Sequence, residues 1–369
     1  MKQEFRCGHA RGADWRAAAQ ACLEQVGPGA GNLGFLYVTD LIADHLEDVL
    51  KMFRSGTGVA NWVGAVGIGV CASGAEYLDE PAVVALTGTF DPASFKVFSG
   101  VSDEETAKST VLSGSGTEPN FAIVHADPNT QGVDKLVRAL ARRVESGFLV
   151  GGLTSSRSRN LQVAGDVIEG GLSGVAFTDS VVIATRLTQG CSPIGPRRTV
   201  TASQRNVLVS LDSRPAFDVF LEDIGEKLAR DLNRVGGHVF AGIAVKGSDT
   251  GDYLARNLVG IDTQSKLIAI GEIVKPGAQV MFLRRDGKTA REDMARMIDS
   301  IRQGLYSKPS AGVYYSCLGR GAPLFGADSG ELKMIKDAFG DIPLAGFFCN
   351  GEISHNRLYG YTGVLTLFV

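Results

Sequence analysis

No run of about 18 consecutive apolar residues, the length needed to span a bilayer, occurs in this chain, so membrane insertion is not expected. The opening stretch, MKQEFRCGHARGADW, is polar and lacks the apolar core of a signal peptide. Cysteine is sparse: Cys7, Cys22, Cys71, Cys191, Cys317 and Cys349 are scattered, with no CxxC and no paired Cys/His spacing. That pattern argues against a zinc site and a dense disulfide framework; no disulfide, metal or cofactor is expected. The cytoplasm is the default compartment, with the thiols reduced. A surplus of either charge is missing too. There are 37 basic and 40 acidic residues, for a net charge of -3, and Arg197-Arg198 and Arg284-Arg285 stand as isolated pairs. Nucleic-acid binding draws on concentrated positive charge to displace counterions, so no nucleic-acid partner is expected.

Glycine is what the chain has in excess, with 47 residues clustered at the ends of apolar runs. Such placement implies sharp turns and close backbone approaches. A hydrophobic share of 44% supplies an ample core, and 369 residues suggest two or three domains.

A recurring block organises the sequence. Gly34–Val38 reads as a short buried strand, and Asp40 is positioned to cap a helix over 41–54 whose Leu46, Val49, Leu50 and Phe53 share a face. Strand-like runs Val63–Val70 and Pro81–Leu86 follow. The same order returns with strand Phe121–His125, helix 130–146, and strands Phe148–Leu153 and Leu172–Phe177. A third occurrence has strand Gly312–Ser316, helix 329–339 with Leu332, Ile335 and Phe339 inward, and strands Ile342–Phe348 and Tyr361–Phe368. Each second strand carries glycine: Gly64 and Gly67, Gly151 and Gly152, and Gly346. The expected fold is therefore α/β (α+β), with mixed sheets flanked by helices, built from repeated β-α-β-β units with internal pseudo-symmetry. Between the second and third blocks, an amphipathic helix is predicted over 216–234, strands over 267–273 and 279–283, and a helix over 289–303. A domain boundary is placed near 210, dividing the chain into 1–210 and 211–369.

Four ordered motifs carry a resemblance. Ser316-Cys-Leu-Gly-Arg-Gly321 and Pro343-Leu-Ala-Gly-Phe-Phe-Cys-Asn-Gly-Glu-Ile353 are similar to the signature of the FIST C-terminal region. Tyr253-Leu-Ala-Arg-Asn-Leu-Val-Gly-Ile-Asp262 resembles an upstream motif of the same family. Gln189-Gly-Cys-Ser-Pro-Ile-Gly-Pro196 resembles the close of the FIST N-terminal region. The resemblance implies a 1–210 FIST N-terminal-like and a 211–369 FIST C-terminal-like domain. It also implies a sensory role with a small-molecule ligand, for which amino acids are proposed, and an unknown signalling protein partner. Related C-terminal regions sit behind an F-box in ubiquitin-ligase adaptors, so a protein-interaction adaptor without ligand is an alternative.

Several residues then become candidates for ligand contact. Arg320 lies between Gly319 and Gly321 just after a buried strand, open to an anion such as a carboxylate, or else bridging two loops. Asn350-Gly351-Glu352 also follows a strand. Asn-Gly favours a tight turn, while Glu352 can receive an ammonium group, so Arg320 and Glu352 together suit a zwitterion. Arg256 is either a further contact or an ion-pair partner of Asp262, with Asn257 able to orient either. Cys317 and Cys349, with His355 downstream, leave open a thiol-dependent hydrolase or transferase, against the reading of small buried thiols. His125 is a pocket donor or a satisfied core histidine, and Trp15 is expected to anchor the N-terminal helix. Gly64–Gly74 superficially resembles a phosphate loop but lacks its Lys-Ser/Thr.

Overall fold

The computed structural model describes residues 4–29, 31–114, 116–232, 235–245 and 253–369. By packing, the chain forms two compact units, one of residues 1–188 with 293–369 and the other of residues 189–292. The expected boundary near 210 falls within a strand of the second unit.

The first block of the larger unit runs β1 (Phe5–Arg11), α1 (Trp15–Val26), β2 (Leu33–Thr39), α2 (Leu46–Thr57) and β3 (Asn61–Gly67). A hairpin of β4 (Gly69–Ala72) and β5 (Ala75–Leu78) follows, then β6 (Ala82–Gly88). The second block repeats the order: β7 (Phe95–Val101), α3 (Glu104–Ser109), β8 (Phe121–Ala126), α4 (Val133–Ala141), β9 (Phe148–Leu153), hairpin β10 (Leu161–Ala164) with β11 (Asp166–Glu169), and β12 (Leu172–Phe177). The third block opens with β13 (Ile183–Gln189). The smaller unit is then inserted: β14 (Cys191–Pro193), β15 (Arg198–Gln204), β16 (Val207–Leu211), β17 (Arg214–Pro215), α5 (Ala216–Ile224), α6 (Glu226–Ala229), β18 (Val239–Ala244), β19 (Tyr253–Asp262), β20 (Leu267–Ile270) and β21 (Gln279–Arg285). The third block resumes with α7 (Gly287–Gly304), β22 (Ala311–Cys317), α8 (Ala322–Phe325), α9 (Gly330–Phe339) and β23 (Leu344–Cys349). Hairpin β24 (Glu352–His355) with β25 (Arg357–Tyr359) and then β26 (Thr362–Phe368) close it.

The three sheets of the larger unit share one strand order: β1-β6-β2-β3-β10-β11, β7-β12-β8-β9-β24-β25 and β13-β26-β22-β23-β4-β5. In each, the two central strands are parallel and joined through a helix, while the last strand of the block pairs antiparallel with the first central one. The outer hairpin always comes from another block. The first block's hairpin completes the third sheet, the second's completes the first, and the third's completes the second. The run 63–70, expected as one strand, is therefore two. It breaks at Ile68, where the chain leaves one sheet for another. This shared order concerns connectivity; geometric pseudo-symmetry is a separate property, tested by superposing the blocks.

The recurring glycines have a steric cause. A Cβ at Gly64, Gly151 or Gly346 would run into the carbonyl oxygen of Leu36, Val124 or Tyr314 on the adjacent parallel strand. Asp14 and Asp103 start their helices by accepting the backbone N–H of Ala17 (2.9 Å) and Thr106 (2.7 Å), and Asp286 does so for Thr289 (3.1 Å) ahead of α7. Asp40 does not cap α2 as expected: a 3-10 turn over Asp40–His45 precedes that helix, and the Asp40 carboxylate is held by Arg157. Trp15 packs against the core cluster formed by α1, α2 and β3, and stacks on His45.

The smaller unit closes on itself. Strands β21, β15, β16, β20, β19 and β18 pair in that order, and β18 returns to β21, giving a six-stranded antiparallel barrel with β14 and β17 at its margins. Phe220 of α5 meets Phe282 edge to face inside the apolar cluster that fills it. The expected helix 216–234 breaks at Gly225, whose φ of 76° is costly for any other residue. Residues 233–234 of that span lie outside those described.

Candidate functional site

The C-terminal ends of β22 and β23 lie side by side, with Cys317 in register with Cys349. Beyond Cys317 the chain turns through Leu318 and Gly319 and carries Arg320 inward, where it is 1% exposed. Its Nε donates to Glu331 Oε1 at 2.6 Å, and its plane lies 4.9 Å from the centre of the Phe325 ring. Glu331, at the start of α9, is also fully buried. It accepts further bonds from the Tyr314 hydroxyl, from Ser316 Oγ (3.1 Å) and from the Gly321 N–H (3.2 Å). Both of its oxygens are thus satisfied.

The rest of the guanidinium is not. Nη1 and Nη2 of Arg320 are buried with no hydrogen-bond partner among the described residues, and the same is true of Glu352 Oε1 and Glu76 Oε2. Glu352 opens β24 fully buried, and its other oxygen accepts from Thr362 N (3.1 Å) and Oγ1 (2.7 Å). Glu76 arrives on β5, the hairpin lent by the first block. Its Oε1 accepts from Ala322 N at 3.0 Å, and its own N–H is held by Ser329 Oγ at 2.9 Å.

Burial sets the electrostatics here. Burial opposes the charge on Arg320, but Glu331, then Tyr314 and Glu352, outweigh it and hold the guanidinium above its ordinary pKa. Burial lifts Glu352 to about 8 against the pull of Thr362 and Arg320. Burial, and then Glu331, lift Glu76 to about 7. An uncompensated buried polar group costs about 1–3 kcal/mol, more when charged, so this constellation suits an incoming partner with both acceptors and donors.

The other sequence candidates distribute unevenly. Cys317, Gly319 and Gly321 line the turn around Arg320; the Gly321 N–H is used by Glu331. Asn350 is exposed, and its N–H donates to Leu153 O. Asn350-Gly351 does not form a hairpin turn. It is the bend at which the chain passes from β23 to β24 in a different sheet. Arg256 belongs to the barrel, where its Nε donates to Glu272 Oε2 at 3.1 Å, while Asp262 caps a turn at Gln264 and Ser265. The Arg256–Asp262 pair considered from sequence gives way to that arrangement.

All six cysteines are free. Burial pushes the Cys317 thiol upward, reinforced by Glu352, and raises Cys349 well above its ordinary value. Cys349 Sγ faces the Phe347 carbonyl at 3.5 Å. His125 lies in the core with only one ring nitrogen matched, since its Nδ1 is buried with no partner among the described residues. It meets Tyr37 and Tyr315 where the sheets converge, with Tyr37 Oη 3.1 Å from His125 Nε2 and 2.9 Å from Tyr315 Oη. Burial lowers its pKa to about 3, so it is neutral. Gly64–Gly74 forms β3, β4 and a hairpin turn, not a loop opening a helix.

Sequence reasoning missed Glu331, Tyr314, Ser316 and Glu76. Glu331 falls one helical turn before Ile335, on the inward face, and Tyr314 and Ser316 alternate on one side of β22; those spacings were readable. Glu76 gave no local signal, because a hairpin exchanged between blocks brings it in.

Residues 32–214 match the FIST N domain and residues 216–355 the FIST C domain, and the chain belongs to the FIST family. FIST domains are generally sensory domains of signal-transduction proteins. Uncharacterized protein Rv0628c of Mycobacterium tuberculosis is 31% identical over 372 residues, covering 96% of each chain. Uncharacterized protein Mb0898c of Mycobacterium bovis is 30% identical over 386 residues, covering 98% of this chain and 96% of the relative. A solved structure of PurLQS from Thermotoga maritima matches at 12% identity over 99% of this chain and 72% of its own, with a TM-score of 0.24. Among the described residues no helix is long and apolar enough to cross a membrane.

Proposed function

We propose that this chain is a sensory module that binds a small polar metabolite of the amino-acid class at Arg320 and Glu352 and passes the bound state to a signalling partner. The supporting observation is the pair of unpartnered Nη groups on a fully buried arginine, beside a buried Glu352 that has one oxygen unused. Proteins seldom leave such groups unmatched, and a ligand carboxylate supplies the bidentate acceptor that a guanidinium fork fits. Cys317 and the glycines at 319, 321 and 351 form the surrounding turns.

The test is thermal unfolding and calorimetry of the full chain against a panel of amino acids. A ligand that binds only the folded state raises the melting temperature. Arg320→Ala is expected to weaken binding by about 1.5–3 kcal/mol, the contribution of a charged hydrogen bond. Arg320→Lys, which keeps the charge but loses the fork, is the folded control and is expected to lose part of that affinity. Absence of any ligand effect, together with unfolding of Arg320→Ala, would leave Arg320 a structural residue.

A further inference from the structure

The Arg320 cluster also constrains the charge of what it binds. The guanidinium bonds Glu331 from α9 and feels Glu352 from β24, while Glu76 from β5 feels Glu331 and puts its Oε2 beside Gly321, next to Arg320 in the chain. Glu331 already accepts four hydrogen bonds and has nothing left to offer. The unused atoms are therefore two acceptor oxygens, on Glu76 and Glu352, and the two Nη groups of one arginine. With every carboxyl ionised, the cluster would hold two negative charges more than positive ones. An anionic ligand would add to that surplus. A neutral zwitterion brings one ammonium for two waiting carboxyls and leaves the surplus as it was. Resting on the reading that this cluster binds a ligand, we infer that the ligand is a cationic amine: an alkylammonium compound of net positive charge that places amine donors on Glu76 and Glu352 and an acceptor oxygen on the Arg320 fork.

The empty site stays uncharged at Glu76 and Glu352 by holding protons, since burial raises both carboxyls toward or above neutrality. Tyr314 and Cys317 of β22, Cys349 of β23 and Cys71 of β4 face the same cluster. All four are raised by burial and remain neutral, and Arg320 remains charged. An ammonium group favours the ionised carboxyls and displaces their protons. Binding therefore releases protons to solvent and tightens as pH rises from 6 toward 8.

The experiment uses the full chain with lysine, ornithine, putrescine, alanine and glutamate as probes. Calorimetry is run in two buffers of different ionisation enthalpy, so that released protons are counted directly. Lysine and ornithine are expected to bind at least tenfold more tightly than alanine, with putrescine, which lacks the carboxylate, between them and glutamate weakest. Lysine affinity is expected to rise severalfold between pH 6 and 8, with proton release. Glu76→Gln is expected to cut the lysine preference at least fivefold; should that variant fold poorly, the proton count on the wild-type chain carries the test alone. Alanine binding as tightly as lysine, weakened by Arg320→Lys and without proton release, would overturn this inference and leave the binding site standing. No binding by any probe, with Arg320→Lys folded like wild type, would remove the site itself.

Discussion

Two arginines of the larger unit hold strand ends together, and they do so differently. Arg157, just past β9, is half exposed. Its Nε and Nη2 grip both oxygens of Asp40 at 2.8 Å, its N–H adds a third bond at 3.0 Å, and Nη1 reaches Asp79 at 2.7 Å. Every guanidinium nitrogen is matched by protein, and the Asp40 carboxyl is held below its usual range despite its burial. Arg320 is fully buried, bonds through Nε alone, and sits among two carboxyls pushed upward rather than down. The first cluster is a finished clamp. The second has its scaffold, Glu331, but not its complement, and the contrast lets the second be read as a receptor for something else.

The largest effect that tests this contrast comes from removing the scaffold. Glu331→Ala leaves the Arg320 charge buried without its carboxylate and is expected to cost about 3–5 kcal/mol in denaturant unfolding. A loss below about 1 kcal/mol would mean that solvent already reaches Arg320, and the distinction from Arg157 would collapse.

Next is the pH dependence of the unliganded chain. Glu352 and Glu76 have folded pKa values above their unfolded ones, so the folded state holds more protons between about 4.5 and 7–8. Their contribution to stability is full below that window and is lost as pH rises through it. His125 acts in the opposite sense. Its folded value of about 3 lies below the unfolded value, so its contribution is present above about 6.5 and is lost on acidification. Glu352→Gln is expected to flatten the alkaline limb, whose slope stays below about 1.4 kcal/mol per pH unit for each group. An unchanged limb in that variant would show that Glu352 does not titrate in the window.

The smallest effects belong to the finished clamp. Arg157→Ala strands a buried Asp40 carboxyl and is expected to cost about 1–2 kcal/mol. Asp79→Ala removes only an exposed partner, 70% accessible, and is expected to cost less than about 0.5 kcal/mol, vanishing at high salt. If Asp79→Ala proved as costly as Glu331→Ala, exposure would not be what separates the two clusters.

Much of the block order was legible. The runs at 34–38, 121–125 and 312–316 became the first central strands of three sheets, and the helix faces at Leu46, Val49 and Phe53 and at Leu332, Ile335 and Phe339 pack inward. Arg320 and Glu352 were visible as polar residues just beyond apolar strands. Glu331 was overlooked although its spacing puts it on the inward helical face, because a carboxylate is ordinarily solvated. Asn350 was misleading because its motif neighbours are buried while it is not. Arg256 was drawn to the wrong acid, since Glu272 lies 16 residues away and is brought close only by strand pairing.

By itself the sequence determined where strands and helices form, through local periodicity, and where glycine is required, since a Cβ at 64, 151 or 346 has no room. It also determined, through its motifs, the family. Tertiary structure alone decided that the run 63–70 breaks at Ile68 and crosses to another sheet, that β13 to β21 divide between a sheet edge and a closed barrel, and that Glu76 takes the N–H of Ala322, 246 residues further along the chain, at the turn that carries Arg320. The physical reason is one of range. Side-chain alternation and helical faces depend on neighbours within a few residues, whereas sheet partners and buried charges are chosen by which distant surfaces can be covered at once and which polar atoms can be matched there.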